Sequence, residues 1–275
     1  MRLLTRDENG ELRLETVDDN VPAYAILSHT WNEDAAEEVT FADILNRDGR
    51  GKAGYCKVEF CLEQAQRDGL RYCWIDTCCI DKSMGQELQA SINSMFQWYS
   101  NAARCYVYMS DVSKSQEQQD HLWKTSFQKS RWMARGWTLQ ELLAPASVEF
   151  FSRERVRLGD KTSLEQLIHE PTRIPITALR GQPLSQFTVD ERFSWAETRS
   201  TTLVEDEAYC LQGIFGVFLP LLYGEGKDNA VRRLRKEIES TPQRQGPFPL
   251  VIFNNCKALT LYRMAPEALC LSVSR

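Results

Sequence analysis

The sequence predicts an α/β fold, in which a parallel sheet is flanked by helices and followed by a C-terminal α-helical extension. Strand-like runs alternate with amphipathic helical stretches over residues 1–153, as they do in sheets built from right-handed crossovers. The runs at 24–29 and 71–76 are apolar at successive positions, which is typical of strands covered on both faces. After residue 153, helical patterns replace the alternation.

The core elements follow from local patterns. The predicted strands and helices, after an irregular lead, are strands at 12–16, 24–29, 71–76, 104–109 and 147–151, and helices at 41–45, 54–69, 87–102 and 126–144. The helix at 54–69 carries an apolar stripe that includes Val58, Cys61 and Leu62, and Gly69 provides a stop. Pro145 ends the helix at 126–144, because proline cannot continue it.

The second part of the chain is predicted to be helical and integral to the fold. The predicted helices are 164–170, 189–199, 205–217 and 229–239. Phe193, Trp195, Leu211, Ile214 and Phe215 need an apolar surface to bury against. Pro, Gln and Gly mark 240–249 as a linker, and 250–275 shows no clear period. We therefore divide the chain into an α/β core (1–153), an integral helical extension (154–239), and a linker and tail (240–275).

Composition excludes several classes of function. The net charge of −5 disfavours a nucleic-acid-binding surface. No apolar run approaches the length of a membrane span, and the N-terminus carries no apolar signal segment. The nine cysteines are odd in number and mostly lie in apolar runs. We expect a cytoplasmic protein with reduced thiols, and no nucleic-acid or membrane partner.

Common cofactor, metal and hydrolase motifs are missing from the sequence. It contains neither a G-x-G-x-x-G nor a phosphate-binding P-loop motif. The spacing of Cys56, Cys61, Cys78 and Cys79 disfavours zinc, so no metal site is predicted. A Ser/His/Asp hydrolase is disfavoured, because Ser28 and His29 are adjacent in one strand and would point to opposite faces. The sequence also has no nucleophile elbow.

Polar residues at strand ends indicate a site. The three polar strand ends are Ser28-His29, Asp76-Thr77 and Ser110-Asp111. Ligands of parallel sheets bind beyond the carboxyl ends of the strands, so we expect a cleft there shared by Ser28, Asp76 and Glu141. Trp137 and Glu141 are four residues apart on a predicted helix, which places indole and carboxylate side by side and raises the carboxyl pKa. Alternatively, Trp137 belongs to the core and Glu141 is a solvated charge.

Three long motifs resemble the fungal heterokaryon-incompatibility (HET) domain. They are residues 24–31 (YAILSHTW), 74–82 (WIDTCCIDK) and 135–142 (RGWTLQEL), supported by 92–96 and 208–215. The resemblance covers residues 1–239 and extends to the N-terminal HET modules of NLR-type incompatibility proteins. It implies a cytoplasmic trigger of cell death on non-self recognition. It also implies self-association and either an NLR-type partner or a fused nucleotide-binding domain.

HET domains are in turn similar to TIR domains, some of which cleave NAD+. In those enzymes the catalytic glutamate lies in a W-x-x-x-E-like segment after the third strand, and this likeness assigns catalysis to Glu141. It makes NAD+ a substrate and implies no cofactor. The residues assigned to NAD+ binding are Ser28, His29, Thr30, Trp31, Asp76, Asp81, Arg135 and Trp137.

Several roles in this assignment stay open. Either Trp31 or Trp137 stacks on a ring of the substrate. Asp76 and Asp81 either bind the substrate or hold caps and loops, and Arg135 binds phosphate or pairs with a surface acid. Two functions remain: an NAD+ hydrolase that releases nicotinamide when clustered, or a non-catalytic module that self-associates and triggers cell death.

Overall fold

The computed structural model describes residues 1–114 and 120–241. Within them the strands are β1 (Arg2–Arg6), β2 (Leu12–Thr16), β3 (Tyr24–His29), β4 (Tyr72–Trp74), β5 (Arg104–Met109), β6 (Val148–Ser152) and β7 (Arg157–Asp160). The helices of the first half are α1 (Phe41–Asn46), α2 (Tyr55–Arg67), α3 (Asp76–Cys79), α4 (Gly85–Asn101), α5 (Asp120–Gln128), α6 (Arg131–Ala134) and α7 (Thr138–Leu143). Those that follow are α8 (Glu165–Thr172), α9 (Ile176–Leu179), α10 (Val189–Ser194), α11 (Asp206–Tyr209), α12 (Gln212–Phe215) and α13 (Lys227–Ser240).

The strands of the described residues form one seven-stranded sheet in the order β2-β1-β4-β3-β5-β6-β7. β3 pairs in parallel with β4 and β5, and β5 pairs in parallel with β6, so the predicted parallel core is confirmed. From β3 the chain winds first to β4, and from β5 it winds the opposite way to β6. The boundary between β3 and β5 is therefore the topological switch point, beyond which ligands of such sheets bind.

Helices cover both faces of this sheet. Every residue of β3 is buried, as expected for a central strand. On one face, Phe60 of α2 packs against Phe151 with ring centroids 5.0 Å apart. On the other face, Trp132 of α6 packs edge-on against Phe150 at 5.5 Å. Since Phe150 and Phe151 are neighbours in β6, their side chains point to opposite faces, and each face has its own helical cover.

The sheet is larger than the sequence predicted. β1 was expected to be an irregular lead, but it pairs antiparallel with both β2 and β4. β7 lies beyond residue 153 and pairs antiparallel with β6. Both are short strands on the outer side of the parallel core, where backbone pairing outweighs a weak apolar pattern.

The single helix predicted at 126–144 is wrong, because the segment divides into α5, α6 and α7. Arg135 is extended and forms a parallel bridge with Ser200 of the extension. Gly136 N donates to Ser200 O at 2.9 Å, and Ser200 N donates to Ala134 O at 2.7 Å. These bonds satisfy the backbone without helical pairing, which a pattern of side chains does not reveal.

The extension is also more broken than predicted. The helix expected at 189–199 ends at Ser194, and the one expected at 205–217 divides into α11 and α12. Trp195, Leu211 and Ile214 are buried, whereas Phe193 and Phe215 are half-buried and pack on each other at 4.7 Å. The helix predicted at 229–239 is confirmed as α13. The predicted linker and tail lie outside the described residues from 242 onward.

Candidate functional site

The carboxylate of Glu141 lies against the end of β3 at the switch point. Glu141 is in the first turn of α7 and is 7% exposed. Ser28 Oγ donates a hydrogen bond to Glu141 Oε2 at 2.5 Å, and Trp132 Nε1 donates to Ser28 Oγ at 2.7 Å. The indole thus holds the serine hydroxyl, which in turn holds the carboxyl group. We call Glu141, Ser28 and Trp132 the Glu141 cluster.

Burial raises the pKa of Glu141 to about 8. The hydrogen bond from Ser28 favours the ionised form, and the negative charge of Asp76 opposes it. The cation of Arg135 and the hydroxyl of Tyr99 also favour ionisation, but burial outweighs them. A carboxyl group that titrates near neutral pH at a sheet switch point is typical of catalytic sites, although buried structural carboxyls share this property.

A second carboxylate lies on the other side of the same strand end. His29 Nε2 and Trp31 Nε1 contact the two oxygens of Asp76 at 3.1 and 3.2 Å. Lys82 Nζ donates to Asp76 Oδ2 at 3.3 Å and also lies 3.9 Å from the centre of the Trp31 ring. We call Asp76, His29, Trp31 and Lys82 the Asp76 cluster.

The pKa of Asp76 is shifted in the opposite direction from that of Glu141. Burial alone would raise the pKa of Asp76, but Lys82 and His29 together outweigh burial and hold it well below its usual value. Asp76 is therefore ionised throughout the neutral range. His29 Nδ1 is buried and has no hydrogen-bond partner among the described residues.

Ser28 and His29 contact different carboxylates, Glu141 and Asp76. Adjacent strand residues point to opposite faces, so the two side chains do not assemble a Ser/His/Asp triad. The negative charge of Asp76 nevertheless acts on Glu141, which places both carboxylates at one end of the sheet. Of the predicted set, Ser28 and Glu141 are therefore in contact, whereas Asp76 is bonded to His29, Trp31 and Lys82, and the predicted cleft shared by all three stays a prediction.

Thr30 ties the strand end to the neighbouring elements. Its hydroxyl lies 3.4 Å from Ser110 Oγ, across the switch point, and its carbonyl accepts from Lys57 Nζ at 2.9 Å. Lys57 also pairs with the buried carboxylate of Glu38, which accepts from Asn32 N. This buried ion pair was not predicted from the sequence. Its signal was Lys57 itself, four residues before Cys61 on the apolar stripe, where a charge requires a buried partner.

Two other residues predicted to belong to the site, Asp81 and Trp137, contact residues outside the two clusters. Asp81 accepts from both N and Oγ of Ser83 and so holds the turn before α4, in keeping with the loop-holding alternative. Trp137 is half-buried, and its Nε1 donates to Asp206 Oδ2 in the extension at 3.0 Å. The polar aromatic groups around the Glu141 carboxyl are those of Tyr99 and Trp132, which the sequence analysis did not assign to the site.

Arg135 is half-buried beside the Glu141 cluster. Within the described residues its guanidinium forms no ion pair shorter than 4.0 Å. Its charge lowers the pKa of both Glu141 and Asp206, so it lies near both carboxyl groups. This position leaves a cation available to an anionic ligand.

Comparisons with known proteins give one family. The family model described as heterokaryon incompatibility protein (HET) matches residues 24–122. The chain is 57% identical over 244 residues to the vegetative incompatibility protein HET-E-1 of Podospora anserina. That alignment covers 86% of this chain but 18% of the relative, so the chain spans less than a fifth of that protein's length. No solved structure matches.

Membrane-spanning helices and metal-binding clusters are both absent from the described residues. No helix in residues 1–114 and 120–241 is long and apolar enough to cross a membrane. In the same residues no cluster of three or more His, Cys, Asp or Glu side chains has an arrangement that could hold a metal ion. The described cysteines are all free.

Proposed function

The chain carries a domain of the heterokaryon incompatibility family, and from that premise we propose that it is a cell-death effector of fungal non-self recognition. We assign it NAD+ hydrolysis: it cleaves the bond between nicotinamide and ribose. The protein acts in the cytoplasm. Clustering activates it, by self-association or through an NLR-type partner or fused nucleotide-binding domain.

The observation that supports hydrolysis is the buried Glu141 carboxyl with a pKa raised to about 8 and a hydrogen bond from Ser28. Departure of nicotinamide leaves positive charge on the ribose, and one nearby carboxylate stabilises that charge as in glycosidases. The nicotinamide ring of NAD+ is itself cationic, so its binding favours the ionised form of Glu141 and releases a proton. A preorganised charge in a water-excluded site is worth more than the same charge in water.

Residues in and beside the two clusters have further places in this reaction. Arg135 forms no ion pair within the described residues, acts on the Glu141 carboxyl and binds a phosphate of the substrate. Trp31 is half-buried and offers a ring face for stacking, although Lys82 occupies one of its faces. The Asp76 carboxylate already contacts His29, Trp31 and Lys82. We therefore assign it the role of holding Trp31 in place and no part in the reaction itself.

The closed state of the Glu141 cluster accounts for activation by clustering. Glu141 is 7% exposed and Ser28 is fully buried, so a substrate reaches the carboxylate after part of the surrounding wall moves. Contact between copies of the module favours the open state by binding it more tightly than the closed one. Dilute protein is then inactive.

Glu141→Gln tests the proposal, with Glu149→Gln as its matched control. Gln keeps the volume of Glu141 but removes the charge, so nicotinamide release falls by a factor of about one hundred or more. Glu149 lies in β6 and pairs with half-exposed Arg157, so its replacement leaves activity within about a few-fold of the parent. Nicotinamide release is measured on the full chain at high protein concentration, together with melting temperature and toxicity on expression in a fungal host.

The outcomes separate catalysis from killing. A Glu141→Gln protein that melts normally and still releases nicotinamide refutes the catalytic assignment. A variant that releases none yet still kills shows that hydrolysis is not the killing mechanism.

A non-catalytic interaction module is the second candidate function. Among the exposed apolar side chains of the described residues are Leu203, Val204, Leu222 and Tyr223, each 42–52% exposed. Glu205 accepts from N of Gly224 and Gly226, so the segment that carries Leu222 and Tyr223 lies next to the one that carries Leu203 and Val204. Exposed apolar clusters of this kind are typical of interaction surfaces. Under this hypothesis Glu141→Gln kills as well as the parent.

A further inference from the structure

Arg199 of the extension is buried next to the Glu141 cluster. It is 7% exposed, and within the described residues it forms no ion pair. Its Nη1 donates to Arg135 O and to Thr138 Oγ1, both at 2.8 Å, and its Nε donates to Trp195 O at 3.3 Å. Its Nη2 is buried without a hydrogen-bond partner in the described part of the chain. Burying a guanidinium group that has no counter-ion and one unbonded nitrogen costs free energy of folding. The burial of Arg199 therefore needs an explanation.

The hydrogen bonds of Arg199 lead to Glu141 by two routes. Thr138 is the first residue of α7, so fixing its hydroxyl fixes the helical turn that carries Glu141. Thr138 Oγ1 also donates to Trp132 O at 2.7 Å, and the Trp132 indole holds Ser28, which holds the Glu141 carboxyl. Both routes start from the one terminal nitrogen.

The backbone next to Arg199 also fixes the segment that leads to Glu141. Residues 134–136, which lead into α7, pair with Ser200. A Cβ placed on Gly136 would lie 2.5 Å from Thr201 Cγ2 and 3.2 Å from Cys210 Sγ. The extension therefore touches the segment before Glu141 so closely that only glycine fits.

We propose that Arg199 is a positioning residue for Glu141 whose buried positive charge adds to that of Arg135 near the Glu141 carboxylate. This inference deepens the proposed function, because it makes the extension part of the site. Burial lowers the pKa of Arg199 to about 10, and the charges of Cys210 and Glu141 act in the other direction. Arg199 is therefore cationic at neutral pH, and ionised Glu141 is the carboxylate that acts on it.

Other groups also act on the Glu141 carboxyl, and a substitution at 199 removes none of them. They come from each element around it: Ser28 of β3, Asp76 of α3, Tyr99 of α4, Cys105 of β5 and Arg135 before α7. Burial raises the pKa values of Tyr99 and Cys105 well above their usual range, so both are neutral wherever Glu141 titrates. Asp76 is ionised over that range, so a shift in the titration of Glu141 reports the loss of Arg199.

The test follows the titration of Glu141 directly, without substrate. Infrared difference spectra of the full chain give the C=O band of the protonated carboxyl, which is assigned to Glu141 by its loss in Glu141→Gln. In Arg199→Met this band persists to a pH higher than in the parent by about one unit or more. Arg199→Lys restores the parent titration, because an ammonium replaces the charge and can donate to Arg135 O and Thr138 Oγ1.

Arg192→Met is the matched control. Arg192 is also a buried arginine of the extension, 4% exposed, but it donates to Thr188 O and Ile214 O and packs over Phe215. Its loss lowers the melting temperature without moving the Glu141 band. Arg199→Gln is the substitute should Arg199→Met not fold, since its amide donates to the same acceptors without a charge.

The proposal is overturned by a folded Arg199→Met or Arg199→Gln protein in which Glu141 titrates as in the parent. A folded Arg199→Lys protein with a shifted titration also overturns it. Where the parent releases nicotinamide, kcat of Arg199→Met falls at least about tenfold at neutral pH with little change in KM. Should the parent release none, the proposed function fails, while the infrared titration still decides the role of Arg199.

Discussion

The two carboxylates at the end of β3 have the same chemistry and opposite surroundings. Glu141 is enclosed by Ser28, Trp132 and Tyr99, and burial raises its pKa to about 8. Asp76 is one-fifth exposed along its side chain, and its neighbours hold its pKa well below the usual value. What separates the two is the number of cations and donors within hydrogen-bond reach, since burial alone would raise both. Glu141 has few polar partners, so its carboxyl group can interact with a cationic ligand. Asp76 already has several partners, so its carboxylate holds neighbouring side chains in place.

The largest effect expected from this comparison is a change in stability with pH that depends on Glu141. Between its usual pKa of 4.5 and about 8, folded Glu141 keeps a proton that the unfolded chain has lost. Stability therefore falls as pH rises through this window, by about 4 kcal/mol in total. Glu141→Gln has no titrating group at this position, so its stability lacks this fall with pH. From pH 5 to pH 8 the free energy of unfolding of the variant therefore rises relative to that of the parent. Urea unfolding at several pH values measures it; equal pH dependence in both proteins would contradict the raised pKa.

Asp76→Asn gives the opposite pH dependence and a smaller effect. Because the pKa of Asp76 is lowered by folding, its contribution is complete above the unfolded pKa near 3.8 and is lost as pH falls below that value. We expect the variant to be less stable than the parent at pH 7 by about 2 kcal/mol, since hydrogen bonds to a charge are lost. The difference should shrink below pH 4.

Asp81→Asn is the control for Asp76→Asn. The Asp81 carboxylate lies near the surface, where it accepts hydrogen bonds from N and Oγ of Ser83 and holds that turn. Its replacement should change the free energy of unfolding by less than about 0.5 kcal/mol. A larger loss for Asp81→Asn than for Asp76→Asn would reverse the assignment of the two residues.

The two clusters also differ in how far the sequence predicted them. The strand ends that carry Ser28, His29 and Asp76 could be placed from apolar runs and helix alternation, because parallel strands align their carboxyl ends. The break in the helix before Glu141 could not be predicted, since Arg135 pairs with Ser200, sixty-five positions later. Patterns of 3.6 or 2 residues carry no information about such distant backbone pairs.

The same limit explains the partners of Trp137 and the role of Arg199. The four-residue spacing of Trp137 and Glu141 predicted a shared face, but the Trp137 indole is hydrogen-bonded to Asp206. Arg199 lies at the end of a predicted helix, where a basic residue normally complements the helix dipole. Its burial against Arg135 and Thr138 follows from packing of the extension on the core.

Gly136→Ala tests whether the Glu141 cluster depends on the extension while the Asp76 cluster does not. The added Cβ would lie 2.5 Å from Thr201 Cγ2, and Thr201 is held by a hydrogen bond to Leu203 O. We expect a loss of about 1–2 kcal/mol in stability from the forced shift. Chemical shifts of the Trp132 indole should change, while those of the Trp31 indole stay as in the parent. Gly51→Ala is the control, since nothing lies within 4 Å of its added Cβ; equal changes at both indoles would refute independent clusters.

The smallest effect is expected for Lys82→Met, which removes a cation from the Asp76 cluster. Lys82 is about one-third exposed, so its ion pair with Asp76 is screened by solvent, and the contact with the Trp31 ring adds a modest amount. We expect a loss of about 0.5–1 kcal/mol in the free energy of unfolding. The pKa of Asp76 should rise towards its usual value, because the nearest cation is gone while burial remains. Carboxyl titration by NMR measures this shift, with Lys52→Met as a control that breaks a similarly exposed pair with Asp43. An Asp76 that titrates as in the parent after loss of Lys82 would mean that His29 and Trp31 alone keep it ionised, and the contrast with Glu141 would then rest on hydrogen bonds rather than on charge.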